Sequence, residues 1–362
     1  MSKNSNLTAA KKAKNDEFYT QYADIEAEMN AYIEYDPNVF RNKTILCPCD
    51  DPEWSNFTRY FAANFTRLGL KKLISTSYAR SAGNQQLTLF EANSPLYDPA
   101  YHETHGKLFT LTRDITGNGR VDTDDIEFRG YLQGDGDFRS PEVTRLRDEA
   151  DIIVTNGPFS LWLELLKWIM DAGKKFILVG NQNAITYKEV FPLIKDNKIW
   201  LGPGFPGNVG FFKSPYEDTA SSSQHREGYI RVSGVMWYTN IDHGLRHQPL
   251  KLDTMAHNLK YNRKLKKKLE SYGVDTYPKY DNYDAIEVPY TDAIPSDYRA
   301  AMGVPITFWT SGIRSSSRLW GPTSNWRTLS HYLTAGRGRA GSISVSRESR
   351  RLYSRLIIRR RK

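Results

Sequence analysis

The sequence predicts an α/β protein built on a mostly parallel central sheet with helices on both faces. Three observations carry that expectation. Short apolar, β-favouring runs recur through the first 215 residues: "KTILC", "LKKLIST", "DIIVT", "KKFILVGN" and "KIWLG". Segments of helical period alternate with them, as strands joined by crossover helices do. Polar turns follow Leu46, Tyr78 and Val154, and ligands of such sheets bind beyond the carboxyl ends of the strands.

Each element follows from its local pattern. A polar, lysine-bearing arm (1–15) precedes "DEFYTQYADIEAEMNAYI", whose apolar positions recur at helical spacing. "KTILCPCDDPEWSNFTRYFAANF" reads as a buried strand, a polar turn and an amphipathic helix. "LKKLISTSY" is a second strand. After "GDGDFRS" comes a charged helix over 142–150, then "DIIVT", then the apolar helix "SLWLELLKWIM". "AITYKEVFPLIKD" forms a helix between the last two runs. From 216 the texture changes to loops, alternating strands ("YIRVSGVMWYTNID") and a stretch crowded with Tyr, Asp and Pro. The expected organisation is therefore an arm (1–15), a sheet domain (16–215), a smaller irregular module (216–308) and a basic tail (309–362).

Charge and composition narrow the function classes. No apolar run approaches bilayer length, and the N-terminus lacks the apolar region of a signal peptide. Cys47 and Cys49, separated by one residue, suit neither an ordinary disulfide nor a complete zinc site. A reduced, cytoplasmic protein without a membrane partner or a metal is the expectation. The net charge is +9, but residues 309–362 carry 13 Arg or Lys and one Glu, so residues 1–308 are net −3. The basicity belongs mostly to the tail, read as disordered or as the product of a reading-frame slip. Elsewhere the one dense basic cluster is "NLKYNRKLKKKLESYG", either a phosphate-contacting surface or a solvated helix.

The stretch "DIIVTNGPFSLW" (151–162) holds an amide, a glycine, a proline and an aromatic ring where a strand ends. An exocyclic amine such as adenine N6 is a poor nucleophile because its lone pair is delocalised. Two acceptors on its hydrogens draw it toward tetrahedral geometry and stabilise the charge that develops during attack. The Asn156 side chain and the Gly157 carbonyl supply such acceptors. Pro158 fixes the turn, and Phe159 can stack on a base swung out of a duplex. The plain alternative is an Asn-Gly turn.

The pattern resembles the "N-P-P-F/Y" motif of S-adenosylmethionine-dependent amino-methyltransferases. With it, "KKAKNDEFYTQYADIE", "CDDPEWSNFTRYFAANFTRLGLKKLI", "GDGDFRS", "ITYKEVFPLIKDNKIWLG", "YPKYDNYDAI" and "MGVPITF" are similar, in the same order, to the EcoRI-type adenine-specific DNA methyltransferases. The resemblance covers roughly residues 10–308, and the tail ends again on a family-like "RRLYSRLIIRRRK". It implies a Rossmann-like class I methyltransferase fold and a target-recognition module in 216–308. It also implies double-stranded DNA as partner, and a cognate restriction endonuclease acting without a stable complex. Residue by residue, "DEFYTQ" implies Tyr19 and Thr20 over the methionine part of the cofactor. "LCPCDDPEWSNF" implies Pro48, Asp50 and Asp51 in the first cofactor loop, where the usual glycines are absent. "GDF" implies Asp137 and Phe138 beside the cofactor's adenine, and an acid after "LISTSY" is missing.

Gly157 departs from the family's proline and frees the loop, so proline at this position is expected to raise the rate. A catalytically impaired DNA-binding relative is the alternative, and methylation of another amine, in protein or RNA, is a third. Separately, "DITGNGRVDTDD" (114–125) matches several positions of a calcium loop, with Asp125 in place of the bidentate Glu. A self-capped turn is its other reading.

Overall fold

The computed structural model describes residues 20–79, 92–205, 209–213, 229–247, 251–280, 284–305, 308, 326–333, 342–345, 348–351 and 355–360. The arm 1–15 and Tyr19 lie outside the described residues. The chain divides into two compact units, one of Met1–Gln182 with Gly202–Asp242, the other of Asn183–Leu201 with His243–Lys362.

In the first unit β1 (Thr44–Cys47), β2 (Lys72–Thr76), β5 (Ile152–Thr155) and β6 (Lys175–Asn181) form a parallel centre in the order β2-β1-β5-β6. Antiparallel strands flank it. β3 (Lys107–Leu111) and β4 (Glu127–Tyr131) extend the β2 side, and β9 (Val235–Thr239) extends the β6 side. The hairpin of β7 (Val209–Lys213) and β8 (Tyr229–Ser233) stands apart from that sheet. The expected parallel sheet is thus present at its centre and antiparallel toward its edges.

The period of two sorts the central strands onto two faces. Ile45, Cys47, Leu73, Ile152, Val154, Ile177 and Val179 pack with helices α1 (Tyr22–Tyr35) and α2 (Asn56–Ala63) in one core. On the opposite face, Trp162 of α4 (Trp162–Asp171) meets the Tyr238 ring at 4.8 Å and donates to Val179 O at 2.9 Å. Helix α3 (Pro141–Glu149) starts on a Ser140 cap that accepts from Val143 N.

Helix α1 carries an acid on its buried face. Glu28 is 1 % exposed, receives the Tyr32 hydroxyl at 2.6 Å and receives Gly204 N at 3.2 Å. Burial pushes its pKa up from 4.5 to about 8, against the lowering effect of those two hydrogen bonds.

The division of the chain differs from the expected boundary at 215/216. Strand β9 is buried along its whole length and pairs with β6 from Val235↔Asn181 to Thr239↔Ile177, so it completes the first unit's sheet. The alternation of "YIRVSGVMWYTNID" is a true strand signal, but it says nothing about which sheet a strand joins. In the second unit β10 (Ile286–Glu287), β11 (Met302–Pro305), β13 (Arg355–Arg360) and β12 (Trp326–Leu333) form a sheet in that order. The segment read as a tail therefore contributes to the fold: β13 pairs antiparallel with β11, and Ile357 and Ile358 are buried. Helices α5 (Met255–Tyr261) and α6 (Arg263–Tyr272) also belong to this unit.

Candidate active site

The carboxyl ends of β1, β2 and β5 form one rim, and a buried polar network joins them. After β1 the chain turns through Pro48 and Cys49 to Asp50. Cys49 has φ 64, a left-handed conformation that favours glycine. One glycine-like backbone conformation is therefore present in this loop, although the glycine is not. Cys47, two residues earlier, is fully buried, and burial followed by the charge of Asp50 pushes its thiol pKa up.

Asp50 is 6 % exposed and faces inward. Its Oδ1 receives the Ser55 hydroxyl at 2.7 Å, and its Oδ2 receives the Thr155 hydroxyl at 2.6 Å. Thr155 Oγ1 is also 2.7 Å from the Pro48 carbonyl. Asp50 N donates to Thr76 O at 2.6 Å, while the hydroxyls of Thr58 and Ser75 donate to its carbonyl. Ser55 meanwhile caps α2 by accepting from Phe57 N. Asp50 thus ties three strand ends and one helix start together. Asp51 is less buried: its Oδ1 accepts from Glu53 N at 2.9 Å, and the Lys107 ammonium lies 3.7 Å from Oδ2.

Beyond β2 the backbones of Ser77, Gly106 and Gly136 come into close approach. Gly136 has φ 86, and a Cβ there would run into the Ser77 carbonyl. This contact brings the "GDGDF" segment to the rim. Tyr78, 41 % exposed, is hydrogen-bonded to Asp135; burial first, and then the charge of Asp135, push its pKa up. Arg139 grips Asp137 with three side-chain hydrogen bonds (Nε to Oδ1 at 2.9 Å and to Oδ2 at 3.2 Å, an amino nitrogen to Oδ2 at 2.6 Å) and reaches Glu164 at 2.6 Å. Those Arg139 bonds hold the Asp137 carboxyl below its usual range. Phe138, expected beside an adenine, is instead 1 % exposed and packs edge-on to Trp168, so the exposed aromatic group is Tyr78.

At the end of β5, Asn156 Nδ2 donates to Thr20 Oγ1 at 3.3 Å, and Asn56 Nδ2 donates to Thr20 O at 2.8 Å. The Asn156 Oδ1 atom is buried. Gly157 lies outside the left-handed region, and a Cβ there would meet Leu165 Cδ2 of α4 at 2.5 Å. Pro158 has φ −58, and its carbonyl accepts from Leu161 N at 3.0 Å, which starts the turn Phe159–Leu161. Phe159 is half-buried against the first unit's core.

Of the expected residues, the fold gathers Thr20, Pro48, Asp50, Asp51, Asp137 and Asn156 through Phe159 along one rim. Sequence reasoning missed Thr155, Ser55 and Tyr78. An exposed aromatic residue at a strand end was a readable sign for Tyr78. No local signal pairs Thr155 with Asp50.

The 114–125 loop consumes its own carboxylates. Asp114 accepts from Gly117 N at 2.6 Å and Gly119 N at 2.7 Å. Asp125 accepts from Ile115 N and Thr116 N, each at 2.9 Å, and from Asp122 N at 3.0 Å. Burial raises the Asp125 pKa, but these amide bonds outweigh it and the net shift is downward. Among the described residues no group of three His, Cys, Asp or Glu is arranged to hold a metal ion. The self-capped turn is the reading that fits. Among the described residues, no helix is long and apolar enough to cross a membrane.

Residues 6–361 match a family described as "Adenine-specific methyltransferase EcoRI". The chain is 42 % identical over 308 residues to the Type II methyltransferase M.EcoRI of Escherichia coli, covering 83 % of this chain and 84 % of that protein. It is 32 % identical over 306 residues to the Type II methyltransferase M.MpnI of Mycoplasma pneumoniae, covering 83 % and 80 %. No solved structure matches the chain.

Proposed function

Because the chain belongs to the EcoRI family of adenine-specific methyltransferases, we propose that its rim transfers a methyl group from S-adenosylmethionine to N6 of an adenine swung out of duplex DNA. The protein is an adenine-specific DNA methyltransferase of the restriction-modification type. The donor set suits the cofactor. Carboxylates of Asp51, Asp135 and Asp137 suit an ammonium and ribose hydroxyls, and the exposed ring of Tyr78 suits a purine. The bound cofactor supplies an electrophilic methyl group on a sulfonium.

The chain's own residues do the rest. Asn156 Oδ1 and the Gly157 carbonyl accept the two amine hydrogens and favour the pyramidal nitrogen that attacks. Thr20 holds the Asn156 amide by its nitrogen, which directs the oxygen the other way. Phe159 and Pro158 shape the base-binding turn. Once the methyl is transferred, the surplus proton passes to water and no strong base is required. The second unit, with α5, α6 and the β10–β13 sheet, carries DNA recognition. A cognate endonuclease would share the DNA site without a stable complex, in a cytoplasmic setting.

The observation that carries this reading is Asn156 at the end of a parallel strand, held by Thr20. Mass spectrometry of duplex DNA incubated with protein and S-adenosylmethionine should reveal N6-methyladenine. Asn156→Ala should abolish it while cofactor affinity changes little. A second reading, a DNA-binding relative with impaired catalysis, is favoured by Leu165 filling the space beside Gly157. It predicts DNA binding without the modified base.

A further inference from the structure

Among the described residues, the exposed cations of α6 form no ion pair with the rest of the second unit. Helix α6 is anchored by Leu265, Leu269 and Tyr272, all buried, and starts on the Asn262 cap, which accepts from Leu265 N at 3.0 Å. Helix α5 starts on Thr254, which accepts from His257 N, and buries Asn258, whose amide reaches the Ala293 carbonyl at 3.3 Å. Caps and apolar anchors therefore account for both helices. Opposite those anchors stand Arg263, Lys264, Lys266 and Lys267, all exposed. Among the described residues none of the four has an ion-pair partner, and no acid occurs between Asp253 and Glu270.

Their placement works against the isolated helix. Arg263 and Lys264 occupy the first turn, where the helix dipole disfavours cations. Arg263 repels Lys266 and Lys267 at three and four residues, and Lys264 repels Lys267 and Lys268. Each like-charge pair costs about 0.2–0.5 kcal/mol. Such an arrangement is relieved by a line of external anions. Beside it, at the junction of the helices, Tyr261 is 57 % exposed, with the His257 ring at 4.6 Å and the Lys260 ammonium 5.0 Å from its own ring. One isolated aromatic ring among cations makes a poor docking face for a folded protein, which needs a contiguous apolar centre. It suits a polyanion, with phosphates on the cations and a sugar edge on the ring.

We infer that the exposed face of α5–α6, formed by Lys260, Tyr261, Arg263, Lys264, Lys266 and Lys267, is a docking surface for the phosphate backbone of duplex DNA. The inference rests on the adenine-methyltransferase reading and adds where the non-specific part of the affinity resides. Phosphate contacts of this kind position the duplex and carry no sequence information.

The test uses the full chain and a mixed-sequence duplex oligonucleotide, with affinity measured across a salt series. Replacing four cations (Arg263→Gln, Lys264→Gln, Lys266→Gln, Lys267→Gln) should flatten the log–log salt slope by about 2–4, at about 0.9 for each phosphate no longer neutralised. The melting temperature should be retained or raised, since the four side chains are solvated and their mutual repulsion is removed. Tyr261→Ala should weaken binding without changing the slope. An unchanged slope in the folded four-cation variant would overturn the surface while leaving the methyltransferase reading intact. Flattening on single-stranded oligonucleotides alone would also overturn it, by assigning the face to a different ligand. If the unaltered protein neither binds nor methylates duplex DNA, the underlying reading fails first.

Discussion

Thr155 Oγ1 lies 2.6 Å from Asp50 Oδ2, so the residue just before Asn156 is fastened to the loop after β1. Asp50 was expected to meet the cofactor. Its buried carboxylate instead receives Thr155 and Ser55, which makes it a positioning residue between the loop after β1 and the loop after β5.

Thr155→Val keeps the shape of the side chain and removes the hydroxyl. A buried hydrogen-bond network broken this way loses about 1–3 kcal/mol. Loosening Asn156 by ~1 Å should slow methyl transfer by up to roughly 100-fold, with cofactor affinity little changed. Thr155→Ser retains the hydroxyl and should retain most of the rate. Denaturant melts and single-turnover assays of the two variants separate these outcomes; equal rates for Val and Ser would remove the coupling.

Gly157→Pro was expected to stiffen the catalytic loop and speed it. The fold adds a condition, because the new Cβ meets Leu165 Cδ2 at 2.5 Å. The single substitution should therefore cost about 1–3 kcal/mol by overpacking. Gly157→Pro with Leu165→Val makes room, and the pair should exceed the starting protein in single-turnover rate without a change in DNA affinity. A double variant no faster than the parent would show that the glycine is harmless.

Glu28 sets a pH dependence of stability. Its folded pKa, about 8, lies above the ordinary 4.5, so between these values the folded state holds more protons than the unfolded one. Stability from this group is full below pH 4.5 and declines as pH rises toward 8. Glu28→Gln, neutral at every pH, should show a flatter melting temperature across pH 5–8 than the parent. Parallel curves would mean that Glu28 is ionised inside the fold.

Ile357→Asp tests whether the end of the chain belongs to the fold. Ile357 is 0 % exposed, packs with Tyr272, Tyr280 and Ala285, and sits on the strand paired with Met302–Pro305. Losing the side chain and burying a carboxylate should destabilise the second unit by about 3 kcal/mol or more. A thermal melt would read it, and an unchanged melt would return residues 355–360 to the status of a tail.

These cases show where sequence reading stops. Runs such as Ile152–Val154 and Phe176–Val179 announce buried strands, because continuous apolar residues have few other uses. Strand partners are another matter: β9 joins the first sheet through pairing with β6, which no local pattern encodes. "RLIIRR" holds a strand-like centre that its arginines disguise. At the rim, Asn156 is visible through a four-residue motif, whereas Thr155 and Asp50 are 105 residues apart and meet only in the folded chain. Phe138 sits in the expected motif, yet its ring turns into the core against Trp168.

Cys49 occupies a left-handed position in the loop after β1, and its side chain is half-exposed. The chain's other thiol, Cys47, is buried and held protonated. The protein thus carries a native attachment point for a single thiol-reactive dye, set in the loop after β1 that is proposed to meet the cofactor. A fluorophore there would report on the proposed cofactor loop without any engineered cysteine.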